Sequence, residues 1–177
     1  MEKSNIVLSG FMASGKSTVG EILSGDTGMA LVDTDGMVEA SAGASVEQIF
    51  ESGGERRFRE YERTAVSRAA SKVNVIIAVG GGAVLDERNV TLLKRAGVVY
   101  LLDVSPEEVY RRAGGGCGRP LLGKEKSEVE ELVRVRHGVY MEAADVVVET
   151  TGRTPAEVAR EIAADFRSRA AGRPDGP

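Results

Sequence analysis

The sequence has no tryptophan, one cysteine and one histidine in 177 residues. The lone Cys117 excludes an intramolecular disulfide and a multi-cysteine zinc site. It sits among glycines with Arg119 as its basic neighbour, so it is given no nucleophilic role. His137 reads as a surface residue. Aromatics are limited to four Tyr and four Phe, so the core must rest on Val, Ile, Leu, Ala and Met. No apolar run reaches the ~18 residues that span a bilayer. The stretch after Met1-Glu2-Lys3-Ser4-Asn5 is too short for a secretory signal. Positive charge is not in excess: 23 Lys and Arg stand against 27 Asp and Glu, for a net charge of -4. That argues against a nucleic-acid binder with a broad basic face, but a small anionic ligand needs only a few placed cations. The expectation is a cytoplasmic protein with no membrane and no nucleic-acid partner. It could be monomeric, and no sequence feature decides that.

What is present is an ordinary globular composition, 42% hydrophobic and 28% charged, with enough length for one domain. Short β-branched runs predict strands at Ile6 to Leu8, Ala30 to Val32, Val73 to Val79, Val98 to Leu102 and Asp145 to Val148. Helical patterns lie between them, at Lys16 to Leu23, Ser45 to Phe50, Glu55 to Lys72, Asp86 to Arg95, Ser105 to Arg112, Ser127 to Met141 and Pro155 to Arg169. Ser45-Val46-Glu47-Gln48 offers a capping box. Strands alternating with helices imply an α/β fold, a parallel sheet covered on both faces. The glycine cluster Gly114 to Gly118 reads as a hinge in a lid over about residues 113–124. The tail from Ala171 to Pro177 is expected to be disordered.

One motif carries most of the chemistry. Gly10 to Thr18 (GFMASGKST) fits G-x-x-x-x-G-K-[ST], follows a predicted strand and opens a predicted helix. Such a loop turns backbone N–H groups inward on phosphate oxygens, and the helix N-terminus adds a favourable dipole. Lys16 would reach the β- and γ-phosphates, and the Ser17 hydroxyl would bind Mg²⁺. A nucleoside triphosphate is the implied ligand, and the loop alone does not name the reaction.

The acceptor must be read elsewhere. Asp33-Thr34-Asp35 ends the second predicted strand, where ligands bind in open α/β sheets. One carboxylate could hold a Mg²⁺ shell through water and the other could accept from a substrate hydroxyl; a helix N-cap is an equal reading of Asp33 or Thr34. Most charges between Glu55 and Glu62 read as a solvated helix face, and spacing alone does not select Arg59. Gly80-Gly81-Gly82 permits close backbone approach to a ligand, or is a plain loop. An arginine on a mobile loop, Arg119 before Pro120, could close over transferring phosphate.

Together these segments resemble shikimate kinase. The stretches that carry the resemblance are Gly10 to Thr18, Val32 to Asp35, Gly54-Glu55 through Phe58-Arg59 to Glu62, Gly80 to Val84, Arg119 to Leu122, Arg136 before Tyr140, and Arg153-Thr154-Pro155. They run in order from about residue 5 to residue 165. The resemblance implies a three-layer P-loop fold of the nucleoside-monophosphate-kinase type, with a five-stranded parallel sheet in order 2-3-1-4-5 within a single domain over 1–170. It implies a shikimate-binding region at about 34–62. It also implies Mg-dependent transfer of the ATP γ-phosphoryl group to the 3-hydroxyl of shikimate, in aromatic amino-acid biosynthesis. Carried over by position, Lys16, Asp35 and Arg119 are catalytic, and Asp35, Arg59, Gly81 and Arg136 hold shikimate. Ala13, Ser14, Gly15, Lys16, Ser17, Thr18, Arg112, Arg119, Arg153 and Pro155 bind ATP. Ser17 ligates Mg²⁺, and Asp33 supports it through water. Three positions depart from the family pattern: Gly138-Val139 where Pro-Leu is frequent, the run Ser24 to Gly28 as weak helix material, and Gly36 in place of a longer polar residue.

Two other readings stand beside this one. One is a different small-molecule kinase of the same fold, gluconate-type or nucleotide-directed. The other is a nucleotide-binding module without turnover.

Overall fold

A computed structural model describes residues 4–112 and 126–171. The strands are β1 (Asn5–Ser9), β2 (Ala30–Asp33), β3 (Val75–Ala78), β4 (Gly97–Asp103) and β5 (Val146–Glu149). They form one sheet in the order β2-β3-β1-β4-β5, with every neighbouring pair parallel. The helices are α1 (Lys16–Thr27), α2 (Thr34–Ala42), α3 (Val46–Ala70), α4 (Glu87–Ala96), α5 (Pro106–Arg112), α6 (Lys126–Ala143) and α7 (Pro155–Ala171). The implied fold class and strand order are the ones observed. The expected lid at 113–124, with Cys117 and Arg119, and the tail beyond Ala171 lie outside the described residues.

The sheet is buried on both faces because successive strand residues point to opposite sides. Val7, Ile77, Val99 and Leu101 join Val66, Leu93 and Val133 in one core layer. Ile6, Leu8, Ile76, Tyr100 and Leu102 join Leu23, Val158 and Ile162 in the other. A third cluster, Val38, Ile49, Phe58 and Ala65, lies under α2 and α3.

Four local differences from the sequence reading have physical causes. The third strand begins at Val75, not Val73, because Asn74 takes φ 56 and Val73 is 75% exposed. Helix α1 runs through the weak Ser24 to Thr27 stretch: Thr27 Oγ1 donates to the Leu23 carbonyl, and Gly28 closes the helix by donating to Ser24 O at 3.0 Å. Helix α2 is absent from the helical patterns read in the sequence, but its cap at Asp33 is one of the two readings given for that residue. Asp33 caps it by accepting from the Asp35 N–H at 2.9 Å, so Asp35 stands in the first helical turn and not at a strand end. The two helices expected on either side of residue 54 meet end to end in α3, broken at Gly54 by φ 65 and ψ -172. The capping box forms as read, with Ser45 and Gln48 exchanging hydrogen bonds.

Candidate active site

The C-terminal ends of β1, β2 and β3 open onto a cleft of about 730 Å³. Its lining includes Ala13, Gly15, Lys16, Ser17, Thr18, Asp33, Asp35, Gly81, Arg112 and Pro155. Most of the residues singled out in the sequence therefore share one cavity. Asp33 and Asp35 reach it from the start of α2, and the loop from β1 to α1 lines it next to Gly81, where an added Cβ would stand 3.5 Å from Met12 N.

That loop is held tightly. Lys16 Nζ donates to the Gly10 and Phe11 carbonyls at 2.7 and 2.9 Å, folding back across its own loop. Ala13 takes φ 59, a left-handed conformation that costs an L-residue roughly 1–2 kcal/mol. Ser14 is buried and lies behind the lining; its carbonyl accepts from Arg112 at 3.4 Å. Arg112 also donates to the Thr150 carbonyl at 3.0 Å and to Glu108 at 2.7 Å, so it bridges the loop to the end of β5. Arg111 and Arg112 together hold the Glu108 carboxyl down to about 2. Pro155 starts α7 at the cleft edge. Arg153 does not line the cleft: it donates to Glu149 O at 2.9 Å and pairs with Glu161 at 2.7 Å, anchoring α7.

The glycine triplet is the surface on which the acceptor side is built. A Cβ on Gly80 would come within 2.4 Å of Asp35 Oδ1 and 3.2 Å of Glu62 Oε1. On Gly82 it would come within 2.4 Å of Arg59 Nη1. Only hydrogen at these two positions leaves room for the side chains beside them. Thr34, fully buried, accepts from the Gly80 N–H at 3.0 Å and locks the triplet to α2. Tyr140 donates its hydroxyl to the Gly81 carbonyl. Arg136 lies beside that hydroxyl, and the charges of Arg59 and Glu62 act on it as well. Arg59 and Arg136 thus flank the cleft without belonging to its described lining.

Glu62 is the unusual group. It is 1% exposed, yet Arg59 Nη1 donates to its Oε2 at 2.7 Å while Oε1 has no hydrogen-bond partner among the described residues. Burial pushes its carboxyl above the ordinary 4.5; Arg59 opposes the shift, and the charges of Asp35 and Asp86 add to it.

A family model described as shikimate kinase matches residues 12–167. The chain belongs to the shikimate kinase family. It is 48% identical over 159 residues to a shikimate kinase of Moorella thermoacetica, covering 89% of this chain and 91% of that one. A solved shikimate kinase from Acinetobacter baumannii, in complex with shikimate, superposes with a TM-score of 0.89 at 32% identity and covers 94% of both chains. The shikimate kinase of Aquifex aeolicus gives a TM-score of 0.83 at 35% identity, covering 96% of this chain and 99% of that one.

The sequence pointed to Arg59 but gave no contact to Glu62, Gly82 or Tyr140, and read Thr34 only as a helix cap. The i,i+3 spacing of Arg59 and Glu62 on a helix was a usable signal. Nothing local marks which glycine of three faces which side chain.

Among the described residues no group of three His, Cys, Asp or Glu could hold a metal alone, and no helix is long and apolar enough to cross a membrane. Ser17 and Asp33 nevertheless line the same cleft. One hydroxyl and one carboxylate suit Mg²⁺, which keeps waters and substrate phosphate oxygens as its other ligands.

Proposed function

We propose that this chain transfers the γ-phosphoryl group of ATP to the 3-hydroxyl of shikimate, giving shikimate 3-phosphate and ADP. The observation that carries the reading is the convergence on one cleft of the Lys16–Ser17 loop and Asp35, with Arg59 seated over Gly82 beside them. Membership of the family supports the acceptor's identity.

The attacking hydroxyl oxygen forms a bond to the γ-phosphorus as the bond to the β-bridging oxygen breaks, and ADP leaves with that electron pair. Asp35 accepts a hydrogen bond from the hydroxyl, orients it, and takes its proton as the bond to phosphorus forms. Because the transition state is loose, orientation counts for more than base strength. Lys16 exchanges its contacts with the Gly10 and Phe11 carbonyls for phosphate oxygens and stabilises charge there. Arg59 and Arg136 offer planar donors to the shikimate carboxylate, and Gly81 offers backbone to its hydroxyls. Arg112 and Pro155 flank the adenine, and Arg153 keeps α7 in place behind them. Arg119, outside the described residues, would add a cation at the transferring phosphate, as the family resemblance implies. Ser17, and Asp33 through water, would hold Mg²⁺, which would supply neutralisation of phosphate charge. The enzyme acts in the cytoplasm in this reading.

A coupled ADP-release assay with ATP, Mg²⁺ and shikimate tests it, with no-acceptor and gluconate controls. Shikimate-dependent release is expected. Release with gluconate alone, or none with any acceptor while ATP still binds, overturns the reading in favour of a different kinase or a non-catalytic module.

A further inference from the structure

Arg59 already grips two carboxylates, and they are unlike each other. Its Nη1 donates to Glu62, which is 1% exposed and fixed inside the protein. Its Nε and Nη2 both donate to Glu55 Oε1, at 3.2 and 3.0 Å, and the Glu55 side chain is 66% exposed. The Nε–Nη2 edge is one from which a guanidinium takes a carboxylate in parallel. Glu55 is also the first residue after the Gly54 break, so it opens a fresh helical run one turn before Arg59.

We infer that Glu55 is a resident stand-in for the substrate carboxylate: it occupies the Nε–Nη2 edge of Arg59 and is displaced when the acceptor's own carboxylate arrives. The inference rests on the assignment of Arg59 to the shikimate carboxylate. The exchange replaces one carboxylate by another on the same donors, so the number of ion pairs is conserved. Glu55 returns to water at little cost because it is mostly exposed, whereas Glu62 is not exchangeable. Two consequences follow from the geometry. Arg59 is held over Gly82 before substrate binds, which reduces the ordering cost of binding. An acceptor without an anionic group cannot make the exchange, so Glu55 also discriminates against neutral polyols.

An i,i+4 glutamate–arginine pair is a common helix-surface contact, so the test must separate a competitor from a brace. Shikimate is titrated calorimetrically into the full chain and into Glu55→Gln, and its KM is measured in the coupled assay. Glu55→Gln should bind shikimate about two- to tenfold more tightly, as expected on removing a competing state of modest stability. Because binding then creates a new ion pair, its affinity should fall more steeply than wild type between about 0.02 and 0.3 M salt. Glu55→Asp, with a shorter reach, should lie between the two. Glu51→Gln, an exposed glutamate on the same helix, controls for net charge. Unchanged or weaker binding by Glu55→Gln overturns the inference and leaves Glu55 as a brace. Equal tightening in Glu51→Gln also overturns it, by assigning the gain to long-range charge. Absence of shikimate-dependent turnover in the unmodified chain instead defeats the assignment on which the inference rests.

Discussion

Replacing Gly82 by alanine tests the placement of Arg59 without touching Arg59. The Gly82 backbone sits at φ -110 and ψ -1, which alanine adopts without strain. The added methyl would stand 2.4 Å from Nη1, 2.6 Å from Nη2 and 2.9 Å from Cζ of Arg59, where ordinary contact needs 3.4–4 Å. The guanidinium must therefore retreat by about 1 Å, a displacement that can spoil a positioned contact. Losing one charge-assisted hydrogen bond costs about 1.5–3 kcal/mol. That converts to roughly a 10- to 150-fold rise in the shikimate KM. The ATP KM should move less than about twofold, because the added methyl meets Arg59 and not the phosphate loop, and uniform loss of binding stays with the ligand affected. Steady-state kinetics with each substrate varied in turn measures both. A shikimate KM within about twofold of wild type in folded Gly82→Ala protein would refute the placement of Arg59 at the acceptor carboxylate.

Three further outcomes are expected. Arg136→Ala should raise the shikimate KM, by the roughly 2–5 kcal/mol of a buried partner lost, while Lys16→Ala and Asp35→Asn should mainly lower kcat; equal effects of all three on KM would contradict the division of roles. The Glu62 carboxyl is held above 4.5 in the fold, so its contribution to stability is full below that value and is lost as pH rises through its folded value. The stability of wild type relative to Glu62→Gln should accordingly decline with rising pH in urea titrations begun near pH 4.5, and a constant difference would contradict the shift. Gly25 lies exposed inside α1, and a Cβ added there would meet nothing within 4 Å, so Gly25→Ala should gain about 0.5–1 kcal/mol. Calorimetry should show Tm raised by about 1–4 °C, and a lowered Tm would mean that the glycine serves something else.

The sheet and the phosphate loop were legible because their signals are local. Ile6 to Leu8 is an apolar run, G-x-x-x-x-G-K-S is contiguous, and a strand before it with a helix after it completes the unit. Of helix α2 only the cap was legible, as one of two readings of Asp33. Gly36 and Ser41 dilute its pattern, and the carboxylate pair Asp33 and Asp35 looked like a strand end with ligands. Its start depends on one cap, Asp33 to the Asp35 N–H. The acceptor side was partly legible: Arg59, Gly81 and Arg136 came from the family pattern, not from spacing. What remained hidden was relational. Glu62 gains its properties by being enclosed beside Asp35, Arg59 and Asp86, which come together only in the fold, and Tyr140 matters through a hydrogen bond across 59 positions. Arg153 shows the reverse case: the resemblance places it at the nucleotide, while its hydrogen bonds tie β5 to α7.

The small cluster of Val38, Ile49, Phe58 and Ala65 is distinct from the two layers that sandwich the sheet, with Met37 packed against both it and one of those layers. Phosphate handling is therefore anchored in the layers around the sheet, and acceptor handling draws on a smaller cluster beside them. Regions with few ties to the main core open and reshape at lower free energy than the rest. Substitutions within that cluster can retune which acceptor is held while the phosphate loop keeps its geometry. A change of diet for this kinase would be written in the segment from Thr34 to Ala65, leaving the strands beneath the phosphates as they are.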